Sequence, residues 1–562
     1  MTLVNKIHFR NLRGDLFGGL TAAIVALPLA LAFGVSSGAG AISGLYGAIF
    51  VGFFAALFGG TPSQVSGPTG PMTVVMTTVF TMLIARHPET GLAMSFTVVM
   101  LGGLFQILFG VLRLGQYITL MPYTVISGFM SGIGIIIILL QIGPFLGYES
   151  SGGVWGVLRQ LPVYLSDPKA AAFSLGLLVL IIVFAAPPKL NRILPAPLLA
   201  LIVGTVVSVL FFGNNADISR IGSFPTGLPT PQMPVFALSD IKDMVFYGLM
   251  LGVLGSIDSL LTSLVADNIT RTQHDSDKEL IGQGIGNCIS GLFGGLPGAG
   301  ATMRTVTNVQ AGGRSALSGV FHALILLIIT LWARPLTTVI PHAVLAGILL
   351  KVGIDIIDWG FIKRAHRISL KTTGLMYAVM LLTVFVDLIT AVAVGVFIAN
   401  LLTVKNLTDL QSDRVKASTE VTNELKLTPE EQELLSRAKN QILLFQLGGA
   451  MSFGAAKVIS QRMTIVEKYT VLLLDMSDVP LLGVTAALAI ESMVEDAAAK
   501  KRHVFLVGAS GRTEERIKKL NLVERFSLVY QVENRFEALE SALELISSAT
   551  HSQSVINVDG KN

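Results

Sequence analysis

Phe58-Gly59-Gly60-Thr61-Pro62 and Phe293-Gly294-Gly295-Leu296-Pro297 are near-copies of one string. Each copy ends an apolar segment without charge and opens into a stretch of small residues. Matching hydrophobic segments broken by Gly and Pro, one in each half of a chain, are typical of transporters built from internal repeats, whose substrate site lies at the breaks. The two strings therefore predict a duplicated membrane protein with a binding site where the copies meet.

The composition supports this class. Hydrophobic residues make up 52% of the 562 residues and charged residues only 14%, against about 25% charged in soluble proteins. The stretches Leu16–Ala85 and Leu114–Tyr148 contain no Asp, Glu, Lys or Arg. Because about 20 residues cross the hydrocarbon core, each stretch holds more than one span. The single cysteine, Cys288, excludes an intramolecular disulfide and is interpreted as a packing residue.

About fourteen apolar segments can be counted, several of them too short to span alone. They lie near 15–34, 43–58, 68–85, 92–111, 124–146, 172–186, 197–212, 243–266, 279–293, 302–310, 316–334, 341–357, 373–389 and 391–404. With an even number of spans, most of the basic loops share one side, which the positive-inside rule makes cytoplasmic. We expect a transmembrane domain over 1–405, a polar linker over 406–438, a soluble domain over 439–550 and a disordered tail over 551–562.

The soluble domain reads as alternating strands and helices. Strands are predicted at 442–447, 471–476 and 503–507, and helices near 452–464, 484–499 and 512–519. This alternation indicates a small α/β domain with a mostly parallel sheet. It contains no phosphate loop and no convincing catalytic constellation, so we expect neither an enzyme nor a nucleic-acid partner.

The duplicated segments predict an anion site. A helix beginning near Thr69 and a second, short helix beginning near Thr302 would meet with their N-termini at mid-membrane. Each N-terminus presents free N–H groups and about half a positive charge. The predicted anion-binding residues are Thr69, Gly70, Gly300, Ala301, Thr302 and Arg304. Arg304 either adds a full positive charge near the anion or points past the site toward a polar vestibule.

Asp258 is the candidate ion-coupling residue. It lies well inside an apolar span, where an ionisable group is costly and functional by default. Thr262 follows one helical turn later on the same face. A carboxylate, hydroxyls and freed backbone carbonyls suit a hard cation such as sodium, and the predicted sodium ligands are Asp258, Thr262, Gly300 and Thr302. A proton on Asp258 is the rival interpretation, and a carboxylate that only joins helices is the third.

The chain resembles the sulfate permease family of anion transporters, also called SulP or solute carrier family 26. The resemblance covers nearly the whole chain, and the tail resembles that family's STAS domain. It is carried by 121–129, 221–229, Ile257–Leu261 through Ala266-Asp267, Asn287 and 308–314. The resemblance implies fourteen spans in two inverted seven-span repeats, a core part that rocks against a gate part, and a homodimer to which the STAS domain contributes. It also implies a site between the third and tenth spans.

Within this family, the chain looks most like the sodium-dependent bicarbonate importers of cyanobacteria. Many relatives carry Glu where this chain has Asp258, and Gln or Glu where it has Leu29 after Pro28; both departures favour sodium over proton coupling. The leading hypothesis is a sodium-dependent bicarbonate symporter in the plasma membrane, with the N-terminus and STAS domain cytoplasmic. The alternatives are a proton-coupled transporter of sulfate or another oxyanion, and a STAS-linked membrane sensor or channel.

Thr485 is a candidate regulatory residue in the STAS-like domain. It stands near the position that is phosphorylated in anti-sigma antagonists, but Gly483 occupies a position where those proteins usually carry Asp. A role of this domain in dimerisation or as a scaffold is the alternative to phosphoregulation.

Overall fold

The computed structural model describes residues 4–5, 9–118, 121–149, 153–187, 194–213, 218–221, 229–332, 338–422, 425–463 and 468–558. The chain divides into two compact units, Met1–Phe397 and Ile398–Asn562. The first is helical except for two very short strands, and the second combines a sheet with helices.

The first half of the membrane unit follows a 3₁₀ turn at Phe9–Asn11. Its elements are α1 (Leu12–Ser37), α2 (Ala41–Phe58), β1 (Ser66–Pro68), α3 (Gly70–Arg86), α4 (Gly91–Val111), α5 (Gly115–Ile118), α6 (Tyr123–Phe145), α7 (Gly153–Ser166), α8 (Ala170–Ala185) and α9 (Ala196–Phe212). The second half comprises α10 (Ile241–Thr270), α11 (Ser276–Leu292), β2 (Gly298–Gly300), α12 (Thr302–Gln310), α13 (Ala316–Trp332), α14 (His342–Ile356), α15 (Trp359–Ile368), α16 (Leu370–Phe385) and α17 (Leu388–Ser412).

Within the described residues, six helices are long and apolar enough to cross a membrane. A seventh span results if α7 and α8, which meet at a bend of 107°, are counted together. Four further apolar helices, α3, α9, α13 and α16, have 10–17 residues. If α5, α7 and α15 are set aside, the described residues of the first half contain seven helices, α1–α4, α6, α8 and α9, and those of the second half contain seven more, α10–α14, α16 and α17. This fits the expected fourteen segments.

The helices of this unit pack as two bundles. The core bundle consists of α1–α4 and α10–α13, in which α11 packs on α4 and α2, and α13 packs on α1 and α2. The gate bundle contains α6, α8, α9, α14 and α16, with α6 packed on α14 and α16. Contacts of α1 with α14 and of α3 with α6 join the bundles. This agrees with the core and gate parts that the family resemblance implies.

The second unit contains a five-stranded sheet. Its strands are β3 (Val415–Ser418), β4 (Ile442–Gly448), β5 (Val471–Asp478), β6 (His503–Val507) and β7 (Val529–Val532), paired in that order. Only the β3–β4 pair is antiparallel. The helices are α18 (Pro429–Arg437), α19 (Phe453–Met463), α20 (Val484–Ala499), α21 (Gly511–Lys519), α22 (Leu522–Arg525) and α23 (Arg535–Val558). The predicted mostly parallel α/β fold is confirmed, and the ends of the six predicted elements are shifted by two residues or fewer. Strand β3 and helix α18 lie within 406–438, which was expected to be a linker.

Several features differ from the expectations. The amphipathic helices α7 and α15 were not among the predicted apolar segments, because their polar faces break the hydrophobic run. Helix α17 continues to Ser412, past the predicted domain end at 405, and α23 reaches Val558, inside the segment expected to be disordered. Of the string 221–229 that contributed to the family resemblance, residues 222–228 lie outside the described residues.

Candidate functional site

The two duplicated segments meet as a pair of strands. Strand β1 pairs antiparallel with β2, with Ser66 opposite Gly300 and Pro68 opposite Gly298. Each strand runs directly into a short helix, β1 into α3 and β2 into α12. Because the strands are antiparallel, the two helices leave the pair in opposite directions with their N-termini close together. We call these N-termini the first opening, at Thr69–Gly70, and the second opening, at Ala301–Thr302.

Both openings leave helix N–H groups without a side-chain cap. Neither Thr69 nor Ala301, the N-cap residues, makes a capping hydrogen bond through its side chain. The first turns of α3 and α12 therefore retain unsatisfied donors that an anion can accept. Two of the predicted anion donors are already used, since Gly300 N donates to Ser259 Oγ (3.1 Å) and Ala301 N donates to Val65 O (3.0 Å).

Three of the four predicted cation ligands lie together at the second opening. The Thr262 hydroxyl is 2.9 Å from Gly300 O and 2.8 Å from Thr302 Oγ1. Thr262 is buried, whereas Thr302 is exposed at the start of α12. A backbone carbonyl and two hydroxyls within hydrogen-bond distance make a compact set of hard oxygen donors.

Asp258 lies one helical turn before Thr262 on α10 and links this oxygen cluster to the first opening. The carboxylate is half-buried. The Thr69 hydroxyl faces it, but that hydroxyl is buried without a hydrogen-bond partner among the described residues. A buried hydroxyl with unused hydrogen-bonding capacity is costly unless a ligand or water satisfies it. Asp258 and Thr69 thus bring the predicted cation and anion residues to one place.

Arg304 lies in the first turn of α12 and is buried beside strand β1. Its side chain is only 1% exposed, and its Nη2 donates to Pro68 O at 3.0 Å. A Cβ added to Gly67 would lie 2.3 Å from Arg304 Nη1 and 3.3 Å from Ala48 Cα of helix α2. The guanidinium therefore lies between β1 and α2, and its Nε and Nη1 atoms are buried without a hydrogen-bond partner among the described residues.

The first opening faces the gate bundle. A Cβ added to Gly70 would lie 2.8 Å from Ile137 Cδ1 of α6 and 3.0 Å from Ile356 Cδ1 of α14. Gly70 therefore lies at a close contact between the core and gate bundles. A cavity of about 240 Å³ lies along the C-terminal side of this contact and is lined by residues of α3, α6, α10 and the α16–α17 turn, including Val74, Thr78, Ile136, Leu140, Met250 and Asp387.

Two polar side chains of α11, Asn287 and Glu279, have no role assigned from the sequence. They bind the backbone at the start of β2 and the loop that leads into β1. Asn287 accepts from Gly298 N (2.7 Å) and donates to Gly298 O (2.8 Å). Glu279, 1% exposed, accepts from Thr61 N (2.8 Å) and from Gln64 Nε2 (2.7 Å).

In the sequence, Glu279 is one of several acidic residues near the N-cap Asp275, a pattern that is typical of an ordinary helix start. Glu279 lies one helical turn after Asp275, on the buried face of α11. This spacing is the feature of the sequence that indicates a buried carboxylate.

The far end of α3 is anchored by an ionic cluster. Arg86 Nη1 lies 2.6 Å from Asp240 Oδ1 and 2.8 Å from Asp243 Oδ2, and His87 Nε2 lies 2.9 Å from Asp240 Oδ2. Hydrogen bonds from Ser239, His87 and Arg86 hold the pKa of Asp240 well below its usual range. The helix of the first opening is thereby tied to α10, which carries Asp258.

In the second unit, Thr485 is exposed in the first turn of α20, after the N-cap Gly483. Elsewhere in this unit, Arg535 forms ion pairs with the buried carboxylates of Glu431 (2.7 Å) and Asp475 (2.8 Å). Burial alone would raise the pKa of Glu431, but the hydrogen bonds from Arg535 and Thr428 lower it. This cluster joins α18, β5 and α23.

Comparisons with known proteins identify both units. The sulfate permease family matches residues 12–380, and the STAS domain matches residues 434–539. The bicarbonate transporter BicA of Synechocystis sp. is 54% identical over 544 residues, which cover 97% of this chain and 96% of that protein. The bicarbonate transporter BicA of Picosynechococcus sp. is 53% identical over 97% of both chains.

Solved structures that resemble this chain are also anion transporters of this kind. The transmembrane domain of a cyanobacterial bicarbonate transporter BicA is 58% identical, with a TM-score of 0.67 over 70% of this chain and 100% of that one. Murine solute carrier 26 family member A9, an anion transporter in the inward-facing state, has a TM-score of 0.79 over 96% of this chain at 20% identity, which speaks for the fold alone. The chain thus belongs to the sulfate permease family and carries a C-terminal STAS domain.

Proposed function

We propose that this protein is a sodium-dependent bicarbonate symporter that imports inorganic carbon by alternating access. One observation carries the proposal, namely that Asp258 faces the Thr69 hydroxyl at the first opening and lies one helical turn before Thr262, whose hydroxyl contacts Gly300 O and Thr302 Oγ1 at the second. The close relatives named as bicarbonate transporters support this choice of anion.

The anion is proposed to bind between the two helix N-termini. The first-turn N–H groups that begin at Gly70 and Thr302, together with the unpartnered Thr69 hydroxyl, supply donors for a planar oxyanion. The aligned peptide dipoles of α3 and α12 add positive potential. Ala301 lines the second opening without offering its N–H, which is bound to Val65.

Sodium is proposed to travel as a second substrate, held by Asp258, Thr262, Gly300 and Thr302. A bound cation balances the charge of the Asp258 carboxylate, which otherwise repels an anion beside Thr69. Anion affinity then depends on sodium, and sodium affinity depends on the anion by the same factor. Moving one anion into a cell whose interior is electrically negative costs about 2.3 kcal/mol per 100 mV of membrane potential. Co-transport of one sodium with one bicarbonate removes this cost, because the pair carries no net charge.

The release step is proposed to follow movement of the core bundle against the gate bundle. The first opening lies where Gly70 meets Ile137 of α6 and Ile356 of α14, so a shift of either bundle exposes or covers it. From the family resemblance we further propose a homodimer with a STAS contribution, in the plasma membrane, with the N-terminus and STAS domain cytoplasmic. Light scattering of the detergent-solubilised protein tests the dimer, since a monomer mass would contradict it.

Radiolabelled bicarbonate uptake into proteoliposomes tests the function. We expect uptake that requires an inward sodium gradient and is lost in Asp258→Ala, with unlabelled sulfate competing poorly. Uptake of bicarbonate at an equal rate in sodium and in potassium would reject the coupling.

A proton-coupled transporter of sulfate or another oxyanion is the second candidate. It is favoured by the carboxylate of Asp258, which can carry a proton in place of sodium, and by more distant relatives such as the putative sulfate transporter YvdB of Bacillus subtilis, 28% identical over 83% of this chain. Sulfate uptake driven by a proton gradient, with no response to sodium, would establish it.

A further inference from the structure

Glu279 is a buried carboxylate in the core bundle that the proposed transport cycle does not use. It is 1% exposed, and no ion pair joins it to a Lys, Arg or His among the described residues. A charged group inside a membrane-spanning bundle is costly and marks function by default. Its three hydrogen bonds fix segments of the chain that lead into the proposed site.

The carboxylate fixes the chain that leads into the first opening. Its Oε2 accepts from Thr61 N at 2.8 Å, and its Oε1 accepts from the side-chain amides of Gln64 and Gln283, each at 2.7 Å. The same Gln283 nitrogen lies 2.6 Å from Ser66 Oγ, in strand β1. Glu279 thus restrains the loop before β1 directly and β1 itself through one amide.

The same carboxylate reaches the second opening through Gln64. A Cβ added to Gly300 would lie 2.3 Å from Gln64 Nε2, so the amide packs against the backbone that carries a proposed sodium ligand. Gln64 Oε1 accepts from Ser263 Oγ at 3.1 Å, next to Thr262 on α10. Because a carboxylate can only accept, it orients the Gln64 amide with its nitrogen toward Glu279 and its oxygen toward Ser263.

We infer that Glu279 is a positioning residue that holds the two openings in register through Gln64 and thereby sets the affinity for both transported ions. This inference deepens the proposed function and rests on it for the identity of the ions. A Gln at position 279 keeps the shape of the side chain but can present an N–H to Gln64 or Thr61, so the orientation of Gln64 is no longer fixed.

The test compares half-saturating concentrations for sodium and bicarbonate in the full-length protein. We expect Glu279→Gln and Gln64→Ala each to raise both values by about tenfold, and the double variant to be no worse than the more affected single variant, because residues in one network do not act additively. Wild-type half-saturation in Glu279→Gln, or fully multiplicative effects in the double variant, would overturn the inference.

Asp15→Asn is the matched control for a purely structural role. Asp15 is 0% exposed and accepts from Arg314 N (2.8 Å), Ser315 N (3.0 Å) and Ser315 Oγ (2.6 Å), a similar network within the core bundle that does not touch β1 or β2. We expect this variant to lower the melting temperature while half-saturation for both ions stays unchanged. An equal rise in half-saturation would show that any loss of a buried carboxylate has this effect, and would reject positioning by Glu279.

A readout without transport separates this inference from the proposed function. Met303, next to Thr302, is 59% exposed, so a Met303→Cys variant in a Cys288→Ser background reports on the second opening through its rate of thiol labelling. We expect Glu279→Gln to change this rate severalfold without any added ion, and an unchanged rate would reject the inference. Sodium-independent uptake by the wild type would reject the proposed coupling alone.

Discussion

The two openings have the same backbone arrangement, a short strand followed by a helix, but different side chains hold them in place. At the second opening, the strand entry is held by a neutral amide, since Asn287 satisfies both the N–H and the carbonyl of Gly298. At the first opening, the entry is held by the carboxylate of Glu279 through Thr61 and Gln64. The glycines of the duplicated strings pack reciprocally, Gly60 against the start of α11 at Asp275 and Gly295 against α2 at Gly47.

This difference indicates a division of labour. The proposed cation ligands all come from the second repeat, on α10, β2 and α12, whereas the unpartnered Thr69 hydroxyl and the contact with the gate belong to the first. Duplication supplied two equivalent helix N-termini, and the surrounding side chains made them unequal. Five substitutions test how far this inequality extends.

The strand pair itself should be the most sensitive element. A Cβ at Gly298 would lie 2.5 Å from the backbone carbon and 2.6 Å from the oxygen of Gly67, and backbone cannot give way as a side chain can. We expect Gly298→Ala to cost about 3 kcal/mol of stability and to remove both openings, seen as loss of monodisperse protein in size-exclusion chromatography. Gly374→Ala, at a position with no heavy atom within 4 Å of the added Cβ, is the control and should behave as wild type.

Asp258→Asn should have the next largest effect. The amide keeps the size of the side chain but removes the charge that attracts a cation, so sodium-driven uptake should fall at least about tenfold, the equivalent of about 1.4 kcal/mol. Uptake is measured at saturating bicarbonate across a sodium series. Retained sodium dependence in this variant would show that the cation binds at other residues, and it would contradict the assignment of the cation site to the second repeat.

Thr302→Val and Thr69→Val compare the two openings with one isosteric change. Thr302→Val removes a hydroxyl bonded to Thr262, and we expect about a fivefold rise in half-saturation for sodium, as for one lost hydrogen bond of about 1 kcal/mol. Thr69→Val removes a hydroxyl without a described partner, so stability should stay within about 0.5 kcal/mol while half-saturation for bicarbonate rises. Equal effects of both variants on both ions would show that the openings are not specialised.

Gly70→Ala should have the smallest effect. The added methyl group meets only the flexible ends of Ile137 and Ile356, which can move by a few tenths of an ångström. We expect a two- to threefold lower turnover, about 0.5 kcal/mol, with half-saturation for both ions nearly unchanged, because the gate contact is altered and the binding groups are not. The measurement is initial uptake rate against bicarbonate concentration, and a changed half-saturation with normal turnover would contradict it.

Much of the architecture could be predicted from the sequence. The strings at Phe58 and Phe293 marked both breaks, and the short helices begin at Gly70 and Thr302, within one residue of the expected starts. These features are local, because Gly and Pro act on the backbone where they stand. The amphipathic helix α7 escaped prediction because its partly exposed residues carry no continuous apolar run.

The sequence by itself determined a membrane protein with two broken segments, an intramembrane carboxylate at Asp258 and an α/β tail, since composition and chain breaks depend only on neighbouring residues. Only the tertiary structure decided that Arg304 is buried beside β1, that the Gly300 and Ala301 N–H groups are already used, and that Glu279 reaches both openings. These outcomes depend on partners more than 200 residues away for Arg304 and Glu279. The direction of a side chain is set by such packing, which no local pattern records.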